Sequence, residues 1–192
     1  LPDYRAVIDA KPLAGMEKDE ASDLAYNPQT KTLFSVMGKN PFLVELTLHG
    51  DVLRKMPLVG WSNPEAVTAL GNGMLAIVDE RDHQVTLVKV DADTRELNIA
   101  DYPKYDLGPS KDQNKAFEAV TWDARNQQLL LGEERPPALF TWKGDGKVLT
   151  GDKQKRASDE LDIRNLSALA IDPRKGHTLV LSADSHLLLE LY

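Results

Sequence analysis

The segment Glu118-Ala119-Val120-Thr121-Trp122-Asp123 is one of four related stretches that decide the fold. Each stretch has a small or acidic residue, a small residue and an aliphatic residue, and then a turn signal. The other three are Ser22-Asp23-Leu24-Ala25-Tyr26-Asn27-Pro28, Glu65-Ala66-Val67-Thr68-Ala69-Leu70-Gly71 and Ser167-Ala168-Leu169-Ala170-Ile171-Asp172-Pro173. The matched aliphatic residues Leu24, Val67, Val120 and Leu169 follow one another at intervals of 43, 53 and 49 residues. An interval of about 40 to 50 residues between β-rich units is typical of propeller blades.

Short apolar runs follow each of these stretches and predict further strands. Apolar-rich runs of four or five residues, bounded by turns, predict buried second strands at residues 32–36, 74–78, 128–131 and 178–181. Alternating runs predict third strands at residues 43–48, 84–90, 138–142 and 187–192, and turns introduce fourth strands at 52–58 and 147–150. We therefore predict an all-β fold, a β-propeller built of four-stranded antiparallel blades.

Four blades are visible in this chain, in one domain, near residues 20–60, 62–107, 115–150 and 162–192. A β-sandwich shares the short strands but does not predict the recurring segment. The last unit ends after its third strand, while residues 4–9 supply a spare alternating strand. Two alternatives follow: residues 4–9 close the ring by completing the last blade, or the chain is part of an incomplete five- or six-bladed ring.

Composition excludes several classes of function. The chain has 192 residues, of which 42% are hydrophobic and 28% charged, and a formal net charge of −7. An acidic chain lacks the basic footprint of a nucleic-acid-binding protein, so we expect no nucleic-acid partner. The absence of cysteine excludes disulfides, thiolate nucleophiles and cysteine-ligated metals. No stretch approaches the roughly 18 consecutive apolar residues that would span a bilayer.

Glutamate and arginine recur at equivalent places in the second and third units. Glu65 and Glu118 begin the two recurring segments, and Glu80-Arg81 and Glu134-Arg135 follow the two second strands. Inner strands of a propeller line a central channel, so these side chains are predicted to converge. Carboxylates this close raise one another's pKa unless a cation compensates.

Two arrangements would compensate the carboxylates. In one, Arg81 and Arg135 pair with Glu118 and Glu65 across the blade interface. In the other, a hard cation binds, for which calcium is the candidate because it takes six to eight oxygen ligands. The residues predicted to ligate calcium are Glu65, Glu118, Asn165 and Asp184.

Other candidate residues are few. Trp61 precedes Ser62-Asn63-Pro64 in a connection between strands, where we expect an exposed ring able to contact a ligand. The histidines fall in or beside turns, and no nucleophile elbow, phosphate loop or zinc-protease motif occurs. No catalytic residue is predicted.

Several motifs taken together resemble the SdiA-regulated, or YjiK-like, family of bacterial envelope proteins. The resemblance rests on their joint order along the chain, from residue 4 to residue 192: Pro64-Glu65-Ala66-Val67, Asp79-Glu80-Arg81, Phe117-Glu118-Ala119-Val120-Thr121-Trp122-Asp123, Glu133-Glu134-Arg135-Pro136, Asn165-Leu166-Ser167-Ala168-Leu169 and Leu181-Ser182-Ala183-Asp184-Ser185. It implies a β-propeller on the periplasmic face of the inner membrane. It also implies an N-terminal membrane anchor, absent from these 192 residues, as the only attachment to the membrane.

The function predicted from these observations is a non-catalytic envelope propeller that binds an unknown small ligand or an envelope protein, with calcium at the central channel as the candidate cofactor. The alternative is a metal-dependent hydrolase, a phosphoesterase or lactonase acting through the channel carboxylates. This alternative rests on the distant similarity of the glutamate pattern to the calcium-containing regucalcin and paraoxonase-like propellers, which is an argument from fold analogy.

Overall fold

Turn residues divide the chain into four antiparallel sheets. A computed structural model describes residues 4–8, 10–108, 116–156 and 161–192. Within these residues the chain forms β-strands and one 3-10 turn, Ile99–Asp101, and contains no α-helix.

The strands of each sheet follow one another along the chain. The first sheet contains β1 (Ala21–Asn27), β2 (Thr32–Met37), β3 (Phe42–Leu46) and β4 (Val52–Val59). The second sheet contains β5 (Pro64–Gly71), β6 (Met74–Asp79), β7 (Gln84–Lys89) and β9 (Lys104–Asp106). Between β7 and β9 along the chain, the short strand β8 (Leu97–Asn98) pairs in parallel with β4 and extends the first sheet. The third contains β10 (Phe117–Asp123), β11 (Gln128–Glu133), β12 (Ala138–Lys143) and β13 (Gln154–Lys155), and the fourth contains β14 (Ala168–Ile171), β15 (Thr178–Ser182) and β16 (Leu187–Leu191).

This arrangement is the predicted β-propeller with four blades. The recurring segments form the first strands β1, β5, β10 and β14, which neighbour one another around the axis. Every predicted second strand begins at its predicted residue. Lys31 and Gln127 immediately precede β2 and β11 with φ of 55° and 53°, and this left-handed conformation completes the turn that leads into each strand.

The fourth strand of the third blade differs from the prediction. Residues 147–150 contain only an isolated bridge between Gly144 and Leu149. The carboxylate of Asp145 accepts hydrogen bonds from the backbone N–H groups of Lys147 and Val148, at 2.8 and 2.9 Å, and this fixes a tight turn. The chain therefore reaches the edge of the sheet only at β13.

The ring-closing strand predicted at residues 4–9 is not formed over residues 4–8, which are irregular, and residue 9 lies outside the described residues. The last sheet thus has three described strands, with β16 at its outer edge. Glu190 in β16 is only 8% exposed, and its Oε1 atom lies 2.9 Å from Nδ1 of His177 and 3.7 Å from Nζ of Lys175.

Apolar side chains fill the spaces between successive sheets. The cluster between the first and second sheets includes Phe34, Val36, Val67 and Ile77. Corresponding clusters join the second sheet to the third and the third to the fourth. Strands with side chains buried on both faces are expected where each sheet is sandwiched between two others.

Side chains of one blade also hold the first strand of the next. The backbone N–H of Trp122 donates to the hydroxyl of Thr68 at 3.0 Å, and that of Val67 donates to Asp23 at 2.9 Å. Such N–H groups on the inner edge of a blade have no strand partner, and an unpaired buried N–H is costly. The side chains of Thr68 and Asp23 therefore each stabilise the packing of one blade against the next.

We expect Thr68→Val to destabilise the protein by about 1–3 kcal/mol, because valine keeps the shape but leaves the N–H of Trp122 unpaired. Thr86→Val is the matched control: Thr86 is fully buried, and its hydroxyl has no partner within the described part of the chain. That substitution should be neutral or stabilising. Chemical denaturation measures both, and equal losses in the two variants would contradict the role given to Thr68.

Candidate functional site

Two β-bulges place the first pair of glutamates. The pairing of β5 with β6 shifts between Pro64 and Ala66, and that of β10 with β11 shifts between Phe117 and Ala119. Glu65 and Glu118 are the extra residues of these bulges. A bulge interrupts the alternation of side chains, so each carboxylate is directed differently from its neighbours at the rim of the blade.

The second pair follows β6 and β11. The backbone N–H of Glu80 donates to the carbonyl oxygen of Asn63, and that of Glu134 donates to the carbonyl oxygen of Ala116, both at 3.0 Å. The two blades therefore repeat the same connection, which holds each of these glutamates beside the start of its own first strand. We call Glu65, Glu80, Glu118 and Glu134 the glutamate cluster.

Glu80 joins the two blades within the cluster. Its carboxylate is within hydrogen-bonding reach of both Glu65 and Glu118, and it accepts a hydrogen bond from the amide of Asn63 at 3.1 Å. Burial, with the neighbouring charge of Glu80, raises the pKa of Glu65 to about 7. Burial, with the charges of Glu80, Glu65 and Glu134, raises the pKa of Glu118 to about 8. The predicted convergence of the two glutamate motifs is therefore seen in the structure.

The first blade does not extend the cluster. Its bulge residue is Ser22, and Gly38 occupies the position equivalent to Glu80. A Cβ atom at Gly38 would lie 2.6 Å from the side-chain oxygen of Asn63, so a larger residue there would displace the Asn63 side chain from its present position. The acidic cluster is consequently confined to the second and third blades.

The arginines do not pair as predicted. Arg81 is exposed and forms no ion pair with any described residue. Arg135 contacts its neighbour Glu134 at 3.3 Å and pairs with Asp184 of the last blade. The predicted pairs of Arg81 with Glu118 and of Arg135 with Glu65 are wrong, because each arginine lies on a turn that faces outward or toward the following blade.

Two of the four predicted calcium ligands are engaged elsewhere. Asn165 is 3% exposed, and its side-chain oxygen accepts hydrogen bonds from the Ser182 hydroxyl and the backbone N–H of Asp184. The carboxylate of Asp184 pairs with Arg135. Glu65 and Glu118 are the two that come together, and no group of three or more acidic, histidine or cysteine side chains in the described ranges is arranged to hold a metal ion.

Trp61 is not exposed as the sequence led us to expect. Its side chain is 4% exposed and belongs to the apolar cluster between the first two sheets. The residues that follow are held by buried Asp79, whose carboxylate accepts the backbone N–H groups of Ser62 and Asn63 at 2.7 and 3.0 Å. These hydrogen bonds hold the connection between β4 and β5 against the core, so the Trp61 ring packs inside the protein.

The first strands enclose a central cavity of about 500 Å³. Its lining comes from all four blades and includes Leu24, Val67, Val120 and Ile171, with the half-buried ring of Trp122. Val67 and Val120 each lie two residues after a glutamate of the cluster. The cluster and the cavity are thus built from the same two strands.

A model of the SdiA-regulated family matches residues 1–192, the whole chain. The chain belongs to the SdiA-regulated family. The match agrees with the resemblance drawn from the glutamate and arginine motifs, and it covers every blade described above.

Solved structures share the fold of this family member at low sequence identity. A chain of a nidogen/laminin complex matches 94% of the protein with a TM-score of 0.67 and 15% identity. A chain of hydrazine synthase from Kuenenia stuttgartiensis matches 93% of the protein with a TM-score of 0.58 and 10% identity. The Cps50 (Swd1) β-propeller domain from Myceliophteria thermophila matches 85% of the protein with a TM-score of 0.54 and 16% identity. The matches cover 64%, 45% and 49% of those three chains, so the protein spans about half to two thirds of their length.

The described residues include no helix of the length and apolarity needed to cross a membrane.

Sequence reasoning missed Asp23 as a titrating group. Asp23 follows the bulge of the first blade, where the second and third blades have Ala66 and Ala119. Burial raises its pKa to about 7, although the N–H groups of Val67 and Leu24 donate to it. The signal available in the sequence was the single acidic residue at a position that is otherwise alanine.

Stability should fall as the pH rises from about 5 to about 8.5. Glu65, Glu118 and Asp23 have folded-state pKa values above those of the unfolded chain, so their contribution is complete below pH about 4 and is lost as the pH rises through about 7 to 8. Glu118→Gln cannot ionise and should lose less stability over this range. Thermal unfolding measured across the range tests this.

The control variant is Glu96→Gln, since Glu96 is exposed and distant in sequence from the cluster. It should keep the wild-type slope. A wild-type melting temperature that stays constant from pH 5 to 8.5, or a Glu118→Gln profile parallel to wild type, would contradict the coupling of these carboxylates.

Proposed function

We propose that this SdiA-regulated family member is a non-catalytic binding module whose recognition site is the glutamate cluster, and that the site takes a cationic group of a small ligand or of an envelope protein. The observation that carries the proposal is the contact of Glu80 with both Glu65 and Glu118 across two blades. The bacterial envelope as its location is part of the proposal and rests on the resemblance of the motifs.

The charge balance of the cluster favours a cationic ligand. Four carboxylates lie together, and the guanidinium of Arg135, which contacts Glu134, is shared with Asp184. Like charges in one site hold protons that they would otherwise release near pH 4. A ligand that brings positive charge replaces those protons, and its binding is favoured by the repulsion that it relieves.

The fixed backbone favours binding without rearrangement. Glu65 and Glu118 are set by bulges within paired strands, and Glu80 and Glu134 are held by backbone hydrogen bonds. A site built on strands loses little conformational entropy when a ligand binds.

Calcium is the simplest cation to test against the cluster. The described side chains do not form a ready set of three metal ligands, and Asn165 and Asp184 are engaged elsewhere, so a calcium ion held by Glu65, Glu80 or Glu118 would take most of its ligands from water or from a partner. An ammonium or guanidinium group needs fewer oxygen atoms from the site than calcium does, because two or three hydrogen-bond acceptors are enough to bind it.

Isothermal titration calorimetry with calcium chloride and, separately, with spermidine tests the proposal. We expect at least one of them to bind with release of about one proton, and to bind roughly tenfold or more tightly at pH 8 than at pH 6, because protons held by Glu65 and Glu118 compete with the cation. The released proton is measured from the difference in heat between buffers of different ionisation enthalpy.

Glu118→Gln should weaken the binding and remove most of its pH dependence, whereas Glu96→Gln should leave both unchanged. Absence of heat from both cations with the wild-type protein at pH 8 would overturn the proposal. Equal affinities for wild type and Glu118→Gln would place any binding outside the cluster.

A further inference from the structure

The first and last blades face each other across an apolar groove. The groove has a volume of about 780 Å³, and both of its walls are faces of sheets. Leu24, Leu33 and Leu46 contribute from the first sheet, and Leu169 and Leu181 from the last. Packed apolar clusters fill the other three spaces between blades, whereas this one is open.

A segment near the N-terminus crosses this groove. Ile8, Lys11 and Leu13 lie along it, between the two sheets. We use the word strap for residues 4–8 and 10–13. The strap contains no strand, so its contacts are made by side chains.

One end of the strap is fixed to the last blade. The hydroxyl of Tyr4 donates to the carboxylate of Asp172, and the guanidinium of Arg174 lies 5.6 Å from the centre of the Tyr4 ring. Arg174 also donates to Asp172 at 3.1 and 3.2 Å. Asp172 is 4% exposed, so this anchor is a buried carboxylate that accepts hydrogen bonds from the neutral hydroxyl of Tyr4 and the charged guanidinium of Arg174.

The other end is fixed to the first blade. Nζ of Lys11 lies 3.1 Å from both the carbonyl oxygen of His49 and the carboxylate of Asp51, in the turn after β3. Leu13 then packs against Met16 and Leu46 on the face of the first sheet that lines the groove. Polar and apolar contacts therefore hold this end together.

We propose that the strap closes the ring, holding the last blade to the first across the groove in place of a paired strand. The chain from Tyr4 to Lys11 reaches at most about 25 Å when fully extended, so the two anchors limit how far the blades can separate. The contact of Tyr4 with Asp172 joins residues 168 positions apart, and it restricts the ensemble of open forms. Among the described residues, the last blade packs through an apolar cluster on the third blade alone, and its other face depends on this closure.

Hydrogen–deuterium exchange of the full chain tests the strap. Tyr4→Phe removes only the hydroxyl, and Tyr4→Ala/Lys11→Ala releases both polar anchors. We expect exchange at β14, β15 and β16 to accelerate on the order of tenfold in Tyr4→Phe, the change that loss of one hydrogen bond to a charged group makes in a local opening equilibrium, and further in the double variant. Strands β5 to β12 should keep their wild-type rates.

The controls are Tyr26→Phe, on an exposed tyrosine of the first blade, and Lys18→Ala, on an exposed lysine just beyond the strap. Both should exchange as wild type does. Fluorescence of an apolar dye should rise in the double variant as the groove opens and stay constant in the controls. Unchanged exchange in β14–β16, or equal acceleration in all four sheets, would overturn the proposal.

Discussion

The structure depends on sheets that are apolar on both faces. Val36 packs toward the second blade, and Met37, the next residue, packs toward Met16 on the opposite face. A sheet of this kind exposes hydrocarbon unless it has a neighbour on each side, so the favourable arrangement is a succession of sheets around an axis. This brings the starts of β5 and β10 together and with them carboxylates that are 53 residues apart in the chain. The site exists because of that packing requirement.

The repeat made most of the fold predictable, because the positions of the strands depend on the local pattern of apolar and turn residues. Apolar runs and turn residues such as Lys31 and Gln127 determine where strands begin, and both are visible in the sequence. The fourth strand of the third blade was predicted wrongly because Asp145 captures two backbone N–H groups that a strand would otherwise use. Residues 4–8 alternate as a strand would, yet they are held through the side chain of Tyr4, and a contact across 168 residues leaves no local pattern.

The sequence predicted which glutamates of the candidate site come together, but it did not predict the contacts of the neighbouring arginines or of Trp61. Equivalent positions in two blades brought Glu65, Glu80, Glu118 and Glu134 together, as expected from the symmetry of the repeat. The choice of partner by Arg135 depends on turn geometry, which the spacing does not contain. Trp61 was misjudged for a related reason: a connection between strands is usually exposed, but buried Asp79 fixes this one against the core.

The outer edge of β16 has a consequence for how copies of this chain behave toward one another. No described strand pairs with this edge, and an unpaired strand rich in leucine is a template on which a second molecule can add its own strand. Glu190 is the fourth of the five residues of that strand, and its carboxylate is held beside His177 and Lys175. A second sheet stacked on this face would cover the carboxylate and remove its remaining contact with water, which is unfavourable. One acidic residue thus disfavours self-association through the described edge of β16.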